Sequence, residues 1–267
     1  MLGGVLKLEW AERSVERLFS LRKDETRMRA AVSAVWIWTA VAVLHPFYQS
    51  VGKFYLAKLG FPSALMYVTC AFEFLLGVVV FLCKPTKQLV FFQALLVLCF
   101  SLILAASEPL LLANPFGVLS KNLQFLCILW VSYVVEKEGE FSEKTLSILR
   151  LGMACVWFTE GLFPKLLFQQ QIELQMVPQL GITFVSPSVA VGCIGICQIL
   201  SGCLALLLKG TPLRFVLSLQ AAALLFLPLV VGFLVPYLWV HPFGPFSKNL
   251  PIFVGTLIVR KRCGGLS

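Results

Sequence analysis

Apolar positions in this chain form long continuous runs, and each run ends at charged residues or at a Pro/Gly cluster. A helix of roughly 20 apolar residues spans the hydrocarbon core of a bilayer, which is about 30 Å thick. The pattern therefore predicts an all-α, polytopic membrane protein. Eight transmembrane helices are predicted, at residues 30–48, 64–83, 88–108, 120–135, 150–168, 187–208, 213–236 and 248–260.

Composition agrees with this interpretation. Of 267 residues, 59% are hydrophobic and 13% are charged, and the mean hydropathy is +0.89. Soluble domains carry about 25% charged residues, so the composition excludes a soluble domain, a disordered chain and a nucleic-acid-binding module. The sequence contains no P-loop, HExxH or GxSxG motif. Whether the protein is an enzyme is left open at this stage.

The distribution of basic residues predicts the orientation. All but five of the 22 Lys and Arg residues fall on one side of an eight-helix arrangement. Because basic loops stay in the cytoplasm, both termini are predicted to be cytoplasmic, in the cytoplasmic (inner) membrane. This distribution accounts for the net charge of +9 without nucleic acid. The five on the outer side are Lys53, Lys58, Lys121, Lys165 and Lys248.

The first 28 residues differ from the rest, because charged positions interrupt every apolar stretch. Leu8, Ala11, Val15, Leu18 and Phe19 recur at helical spacing, which predicts an amphipathic helix on the cytoplasmic membrane surface. Such a helix could serve as an anchor or as a docking site for a partner protein.

The chain contains an internal duplication. Asn114 to Leu123 reads NPFGVLSKNL and returns 127 residues later, from His241 to Leu250, as HPFGPFSKNL, with seven of ten positions identical. An offset of 125 pairs Glu73 with Gln198, and an offset of 121 pairs Arg29 with Arg150. Changing offsets are what loops of different length produce. The predicted divisions are a surface segment 1–28, a repeat 29–139, a linker 140–149 and a repeat 150–267.

These features resemble the DoxX-like family of small four-helix membrane proteins. The resemblance rests on Arg-x(6)-Trp opening the first helix, Glu/Gln-x(3)-Gly in the second, and Pro-Phe-Gly-x-x-Ser-Lys-Asn-Leu before the fourth. It implies two fused four-helix bundles. It also implies an association with quinone-linked redox systems, since DoxX is associated with a thiosulfate:quinone oxidoreductase. The dithiol motif of a self-sufficient thiol oxidoreductase is missing.

Two carboxyl groups are predicted to lie inside the membrane, which is energetically unfavourable and therefore marks functional candidates. Glu73 lies about ten residues into the second helix, and Glu160 lies ten residues beyond Arg150. Either could bond a quinone carbonyl, relay a proton or tie two helices together. The amide at Gln198, in the place of Glu73, favours the structural role, because an amide bonds but does not titrate.

A second set of candidates gathers at the outer ends of the helices, where it could bind an anion or a quinone headgroup. The alternative is structural: Ser120 and Ser247 would cap the following helices, and the lysines would extend to the lipid headgroups. The candidate ligand-binding residues are His241, Lys121, Asn122, Lys165, Lys248, Asn249 and Glu108.

No metal site is predicted. The nine cysteines include no CxxC pair, and cysteines within membrane helices act as small apolar residues. His45 and His241 are the two histidines and could in principle ligate a haem, but the two do not align between the repeats, so a haem is not expected.

The sequence thus supports three functional hypotheses. The first is a membrane subunit of, or accessory to, a quinone-linked redox system, with a redox partner protein. The second is a transporter of a small solute or lipid with its site between the repeats. The third is a membrane scaffold without catalytic activity.

Overall fold

The computed structural model describes residues 2–110, 117 and 120–263, with side chains from residue 22 onward. The described residues are helical, and no strand occurs among them. The helices are α1 (Leu2–Ala42), α2 (Pro46–Lys58), α3 (Ala64–Leu82), α4 (Lys87–Ser107), α5 (Ser120–Glu138), α6 (Glu143–Gly161), α7 (Gln171–Gln179), α8 (Pro187–Leu207), α9 (Gly210–Leu234) and α10 (Asn249–Arg262). A π-helical turn, Leu162–Leu167, follows α6, and a 3-10 helix, Pro236–Val240, follows α9.

All eight predicted helices are present, but only some of the described helices meet the length and hydropathy expected of a membrane span. Five helices, α3, α4, α6 with its π-helical turn, α8 and α9, are long and apolar enough to cross a membrane. A sixth span results if Arg22–Ala42 and Pro46–Lys58, which meet at 89°, count as one. The count of eight spans is not confirmed. The short helices α2 and α7 were not predicted, because α2 continues a longer apolar run and α7, QIELQMVPQ, is too polar and too short to be recognised as a span.

The helices that fall short of the criteria for a span, α5 and α10, lie at the centre of the described structure. Both pack against α1 and α6, and against each other. Ile128 and Val131 of α5, and Ile252 and Val259 of α10, are fully buried. A helix surrounded by other helices has less contact with lipid, and its sequence can therefore be less apolar than that of a peripheral span.

The packing repeats along the chain. We call α1–α5 copy 1 and α6–α10 copy 2. The first and second long helices pair in each copy, as α1 with α3 and as α6 with α8. At the centre, α1 of copy 1 packs against α10 of copy 2, and α6 of copy 2 packs against α5 of copy 1. This arrangement places the fourth helix of each copy against the first helix of the other.

The arginine of the Arg-x(6)-Trp motif has the same role in both copies. Arg29 donates to the carbonyl oxygen of Cys83 at 3.0 Å, and Arg150 donates to the equivalent carbonyl of Leu208. Each guanidinium therefore satisfies a carbonyl at the end of the second long helix, where no intrahelical partner exists. The motif thus ties the first two long helices together.

The glycine of the second motif allows these same helices to approach closely. A Cβ at Gly77 would lie 3.1 Å from the backbone oxygen of Ser33, and one at Gly202 would lie 2.8 Å from the backbone oxygen of Ala154. Ser33 and Ala154 are related by the same offset as Arg29 and Arg150. Backbone atoms cannot move aside as a flexible side chain can, which explains why glycine stands here.

The predicted surface segment is continuous with the first span, because α1 runs without a break from Leu2 to Ala42. The amphipathic face predicted within residues 1–28 lies largely outside the residues whose side chains are described. Just beyond it, Asp24 is fully buried and accepts hydrogen bonds from Lys261 at 2.9 Å and Arg262 at 2.8 Å. These ion pairs connect α1 to the end of α10.

Candidate functional site

The glycine of the repeated loop motif has the same backbone conformation in both copies. Gly117 and Gly244 have φ values of +64° and +59°, in the left-handed region that favours glycine. Each glycine accepts a backbone hydrogen bond from the lysine four residues later, Lys121 or Lys248, at 3.1 Å in both cases. Most of the first motif, residues 114–116 and 118–119, lies outside the described residues.

The two motif serines do not act as the predicted helix caps. Ser120 donates instead to Glu160 Oε1 at 2.5 Å, and Ser247 donates to the carbonyl oxygen of Gly244 at 3.3 Å. Ser120 and Glu160 come from different copies, and both are about nine-tenths buried. The first of these bonds therefore joins the copies through a carboxyl group within the predicted span.

Lys121 and Lys165 approach Glu160 from two sides. Lys121 is 8% exposed and donates to the carbonyl oxygen of Pro245 at 2.8 Å. Lys165 lies in the π-helical turn that continues α6, donates to the Glu160 carbonyl oxygen at 3.2 Å and pairs with Glu173 at 2.7 Å. Buried charges require such partners, and π-helical turns often occur at functional sites.

A cavity of about 160 Å³ opens beside these groups, and we call it the polar pocket. Its polar lining residues are Lys121, Trp157, Glu160, Lys165, Glu173, Gln198 and Asn249. The rest of the wall is apolar and comes mainly from α7 and α9. Ligand pockets are typically apolar with a few convergent polar groups, as this one is.

Three buried polar atoms of the polar pocket residues lack a hydrogen-bond partner among the described residues. They are Trp157 Nε1, Gln198 Oε1 and Glu173 Oε2. Trp157 is only 8% exposed. A buried polar group without a partner is destabilising by about 1–3 kcal/mol, so three around one cavity favour a site that binds a polar ligand.

On the other side of Glu160 lies a larger cavity of about 630 Å³, which we call the apolar groove. Its wall is largely apolar and is built from α4, α5 and α6 with the π-helical turn. Ser101 and Asn122 contribute polar atoms, joined by an Asn122 to Ser101 hydrogen bond of 2.8 Å. Glu160 lines both cavities.

Copy 1 has a corresponding cluster of polar residues, but its carboxyl group lies on the second long helix and not on the first. The offset of 121 pairs Glu160 with Thr39, and the offset of 125 pairs Gln198 with Glu73. Glu73 is 6% exposed, and its Oε2 has no hydrogen-bond partner among the described residues. It interacts electrostatically with Lys248, the counterpart of Lys121. Glu73 lines none of the described cavities.

The remaining predicted residues divide between the pocket and the outer surface. Asn249 lines the polar pocket. Glu108 does not reach it and forms an exposed ion pair with Lys58 at 3.1 Å. Glu108 therefore lies outside the polar pocket, and its role in ligand binding stays a prediction.

Both histidines precede a Pro-Phe pair and accept a backbone hydrogen bond two residues later. His45 Nδ1 accepts from Phe47 at 3.1 Å, and His241 Nδ1 accepts from Phe243 at 3.3 Å. His241 and Lys248 both lie outside the α-helices. Burial and the nearby Lys248 lower the pKa of His241 to about 4. Burial and Lys121 lower the pKa of Lys248 to about 8, against the opposing effect of Glu73.

Comparison with known proteins decides the family. The sequence model of the DoxX-like family matches twice, over residues 33–130 and 154–257. The chain belongs to the DoxX-like family. The two matches confirm the predicted duplication in tandem copies. Neither a curated protein nor a solved structure matches the chain.

This DoxX-like protein places three polar residues that were not predicted as site residues, Trp157, Glu173 and Gln198, in its polar pocket. Trp157 belongs to the family-like Arg-x(6)-Trp motif, and its repetition could have drawn attention to it. Glu173 lies in the unpredicted helix α7, and no sequence pattern indicated its pairing with Lys165.

Proposed function

We propose that this DoxX-like membrane protein is a subunit of, or accessory to, a quinone-linked redox system, and that its polar pocket holds the quinone headgroup. The observation that carries the proposal is the position of Glu160, which lines both the polar pocket and the apolar groove. A quinone has a small polar ring and a long apolar tail. Adjoining polar and apolar cavities match these two parts.

Each polar residue of the pocket would have a distinct role. The indole N–H of Trp157 would donate to a quinone oxygen, since an indole nitrogen is a donor only. Glu160, held by Ser120, would exchange protons as the ring is reduced or oxidised. Lys121 and Lys165 would stabilise negative charge on the headgroup. A redox partner protein would supply or remove the electrons.

The proposal is tested by purification in a gentle detergent followed by solvent extraction and optical spectroscopy. We expect about one quinone per chain. Glu160→Gln should keep the bond from Ser120 but slow quinone turnover by the membrane-bound system about 100-fold, since general acid–base groups contribute about 10²–10⁴-fold. Thr39→Ala, at the equivalent position of copy 1, is the matched control and should leave turnover unchanged. A preparation without quinone, and with no quinone uptake on addition, would contradict the proposal.

One observation favours transport as a second candidate. Lys121 belongs to copy 1, whereas nearly all other residues of the polar pocket belong to copy 2, so the site lies between the repeats. Transporters built from repeats commonly bind their substrate there. Uptake of a small anion into proteoliposomes, abolished by Lys121→Ala, would support transport, and absence of uptake would count against it.

We also infer an orientation with both termini in the cytoplasm, in the cytoplasmic membrane. The inference is supported by the small share of basic residues on the side of the repeated loops. Labelling of single cysteines introduced at Lys58 and Lys144 tests it. An impermeant reagent added outside intact cells should label position 58 and not position 144.

A further inference from the structure

The fully buried, unpartnered polar atoms of the residues around the polar pocket form an unbalanced set, and this set discriminates between ligand chemistries. Its charged groups already have partners: Lys121 bonds Pro245, Lys165 pairs with Glu173, and Glu160 accepts from Ser120. Among the fully buried side-chain atoms of the lining residues, those without partners among the described residues are one donor, Trp157 Nε1, and two acceptors, Gln198 Oε1 and Glu173 Oε2.

We propose that this pocket binds a single aromatic ring bearing a hydroxyl group, and therefore binds the reduced quinol form of a headgroup more tightly than the quinone. The inference rests on the proposed function and specifies its ligand. A carbonyl oxygen only accepts, so a quinone could satisfy Trp157 and would leave both acceptors unpaired. A hydroxyl both donates and accepts, so a quinol could satisfy Trp157 and an acceptor together.

The size of the cavity supports one ring. The polar pocket measures about 160 Å³, and a protein cavity of about 150 Å³ holds one benzene molecule. Its apolar wall includes Met176, Leu227 and Phe246, which can pack against the ring faces. The tail of such a ligand would lie outside this cavity.

Copy 1 shows what the same frame looks like without this site. Trp36, the counterpart of Trp157, donates its indole N–H to Gln93 at 2.9 Å. In copy 2 the counterpart of Gln93 is Gln220, whose Nε2 donates to Ser201 and whose Oε1 has no partner among the described residues. The copy 2 indole therefore lacks the bond that its copy 1 counterpart forms, and it belongs to a residue that lines the pocket.

The test compares three ligands with the same ring by anaerobic equilibrium dialysis against the full chain in detergent. The probes are tetramethyl-1,4-hydroquinone, tetramethyl-1,4-benzoquinone and the dimethyl ether of the hydroquinone. None has a free ring carbon that a cysteine could attack. We expect the hydroquinone to bind about tenfold more tightly than the other two, because two modest hydrogen bonds together correspond to about that factor.

Variants identify the atoms responsible. Gln198→Leu should remove most of the preference for the hydroquinone, and Trp157→Phe should weaken binding of both redox forms by about fivefold. Trp36→Phe, the matched control in copy 1, should change neither. Circular dichroism and thermal midpoints establish that each variant is folded.

The outcomes separate this inference from the proposed function. Equal or tighter binding of the benzoquinone, or an unchanged preference in folded Gln198→Leu, would overturn the inference and leave the quinone-linked function in place. If none of the three ligands binds and no quinone co-purifies, both fail.

Discussion

Copies 1 and 2 share a frame but differ where that frame surrounds buried charge. Both use an arginine to hold the end of the second long helix and a glycine where that helix meets the first. Both place a left-handed glycine before the motif lysine. In copy 1 the tryptophan is bonded to Gln93, whereas in copy 2 the equivalent Trp157 lines a cavity. The two copies therefore share the contacts that hold their helices together and differ in the surroundings of the buried tryptophan.

The carboxyl groups show the same divergence. Copy 1 has Thr39 and Glu73 at the two positions where copy 2 has Glu160 and Gln198. Each copy thus retains one acid and one neutral polar residue, on exchanged helices. Glu73 interacts with Lys248, and Glu160 with Lys121, so each acid faces the motif lysine of the other copy. The predictions below set an element of one copy against its equivalent or nearest analogue in the other.

The largest expected difference concerns ion pairs near the outer ends of the helices. Lys165→Met would leave the carboxylate of Glu173, which is 17% exposed, without its cation. Loss of one partner of a buried pair is destabilising by about 3–5 kcal/mol. Lys58→Met breaks the exposed pair with Glu108, for which about 0–1 kcal/mol is expected. Denaturant unfolding in detergent measures both. Equal effects would show that burial does not distinguish the pairs.

A smaller difference is expected where the first two long helices meet near the pocket. Gly161 of copy 2 corresponds to Ala40 of copy 1. A Cβ at Gly161 would lie 2.4 Å from the Gly195 oxygen, so Gly161→Ala should lower the free energy of unfolding by about 1–3 kcal/mol, as overpacking does.

The reverse change, Ala40→Gly, is the control and should be destabilising by about 1 kcal/mol or less through backbone entropy. A Gly161→Ala variant as stable as the natural protein would mean that α6 and α8 are not as close as the structure places them.

The two tryptophans should respond in opposite ways in stability and in binding. Trp36→Phe removes the donor to Gln93, which is 1% exposed, and should lower the free energy of unfolding by about 1–3 kcal/mol. Trp157→Phe removes the same ring volume but a donor without a partner among the described residues, and should therefore be less destabilising than Trp36→Phe. Thermal unfolding without ligand measures the stability of both variants. A larger loss of stability in Trp157→Phe than in Trp36→Phe would contradict the absence of a hydrogen-bond partner for the Trp157 indole.

The last effect is a pH dependence that arises from His241 of copy 2. The pKa of His241 falls from its usual 6.5 to about 4 in the folded chain. The unfolded chain therefore binds more protons between these values, and stability rises with pH across this window. Acidification from pH 6.5 toward pH 4 should lower the thermal midpoint.

His241→Asn introduces the residue that copy 1 carries at position 114 and should flatten this part of the profile. If the thermal midpoint of the variant still fell between pH 6.5 and pH 4 as steeply as that of the natural protein, His241 would be excluded as the source of the pH dependence.

The sequence predicted the helices well because a membrane span is a long apolar run with charged ends. Boundaries such as 64–83 and 187–208 differ from the observed α3 and α8 by one residue. The span count was harder, because α5 and α10 are apolar for a different reason, namely contact with other helices. The bend between α1 and α2 was missed, since the apolar run continues through His45-Pro46.

The site was predicted only in part. Glu160, Lys121, Lys165 and Asn249 were identified because charge or polarity in an apolar chain is conspicuous. The separation of Glu73 from the polar pocket could not be predicted, since it depends on how the helices around Glu73 pack in three dimensions. Trp157 and Gln198 have counterparts with similar chemistry in copy 1, and only the loss of the Trp–Gln bond in copy 2 distinguishes them.

The central claim is that Trp157 of copy 2 lines a ligand pocket, whereas its counterpart Trp36 in copy 1 lines none of the described cavities. The most direct measurement is the stoichiometry of tetramethyl-1,4-hydroquinone bound to the full chain, determined by equilibrium dialysis for the natural protein, Trp36→Phe and Trp157→Phe. The account predicts one site per chain, kept at full affinity in Trp36→Phe and weakened in Trp157→Phe. Two equivalent sites per chain, or a site weakened by Trp36→Phe and not by Trp157→Phe, would contradict it.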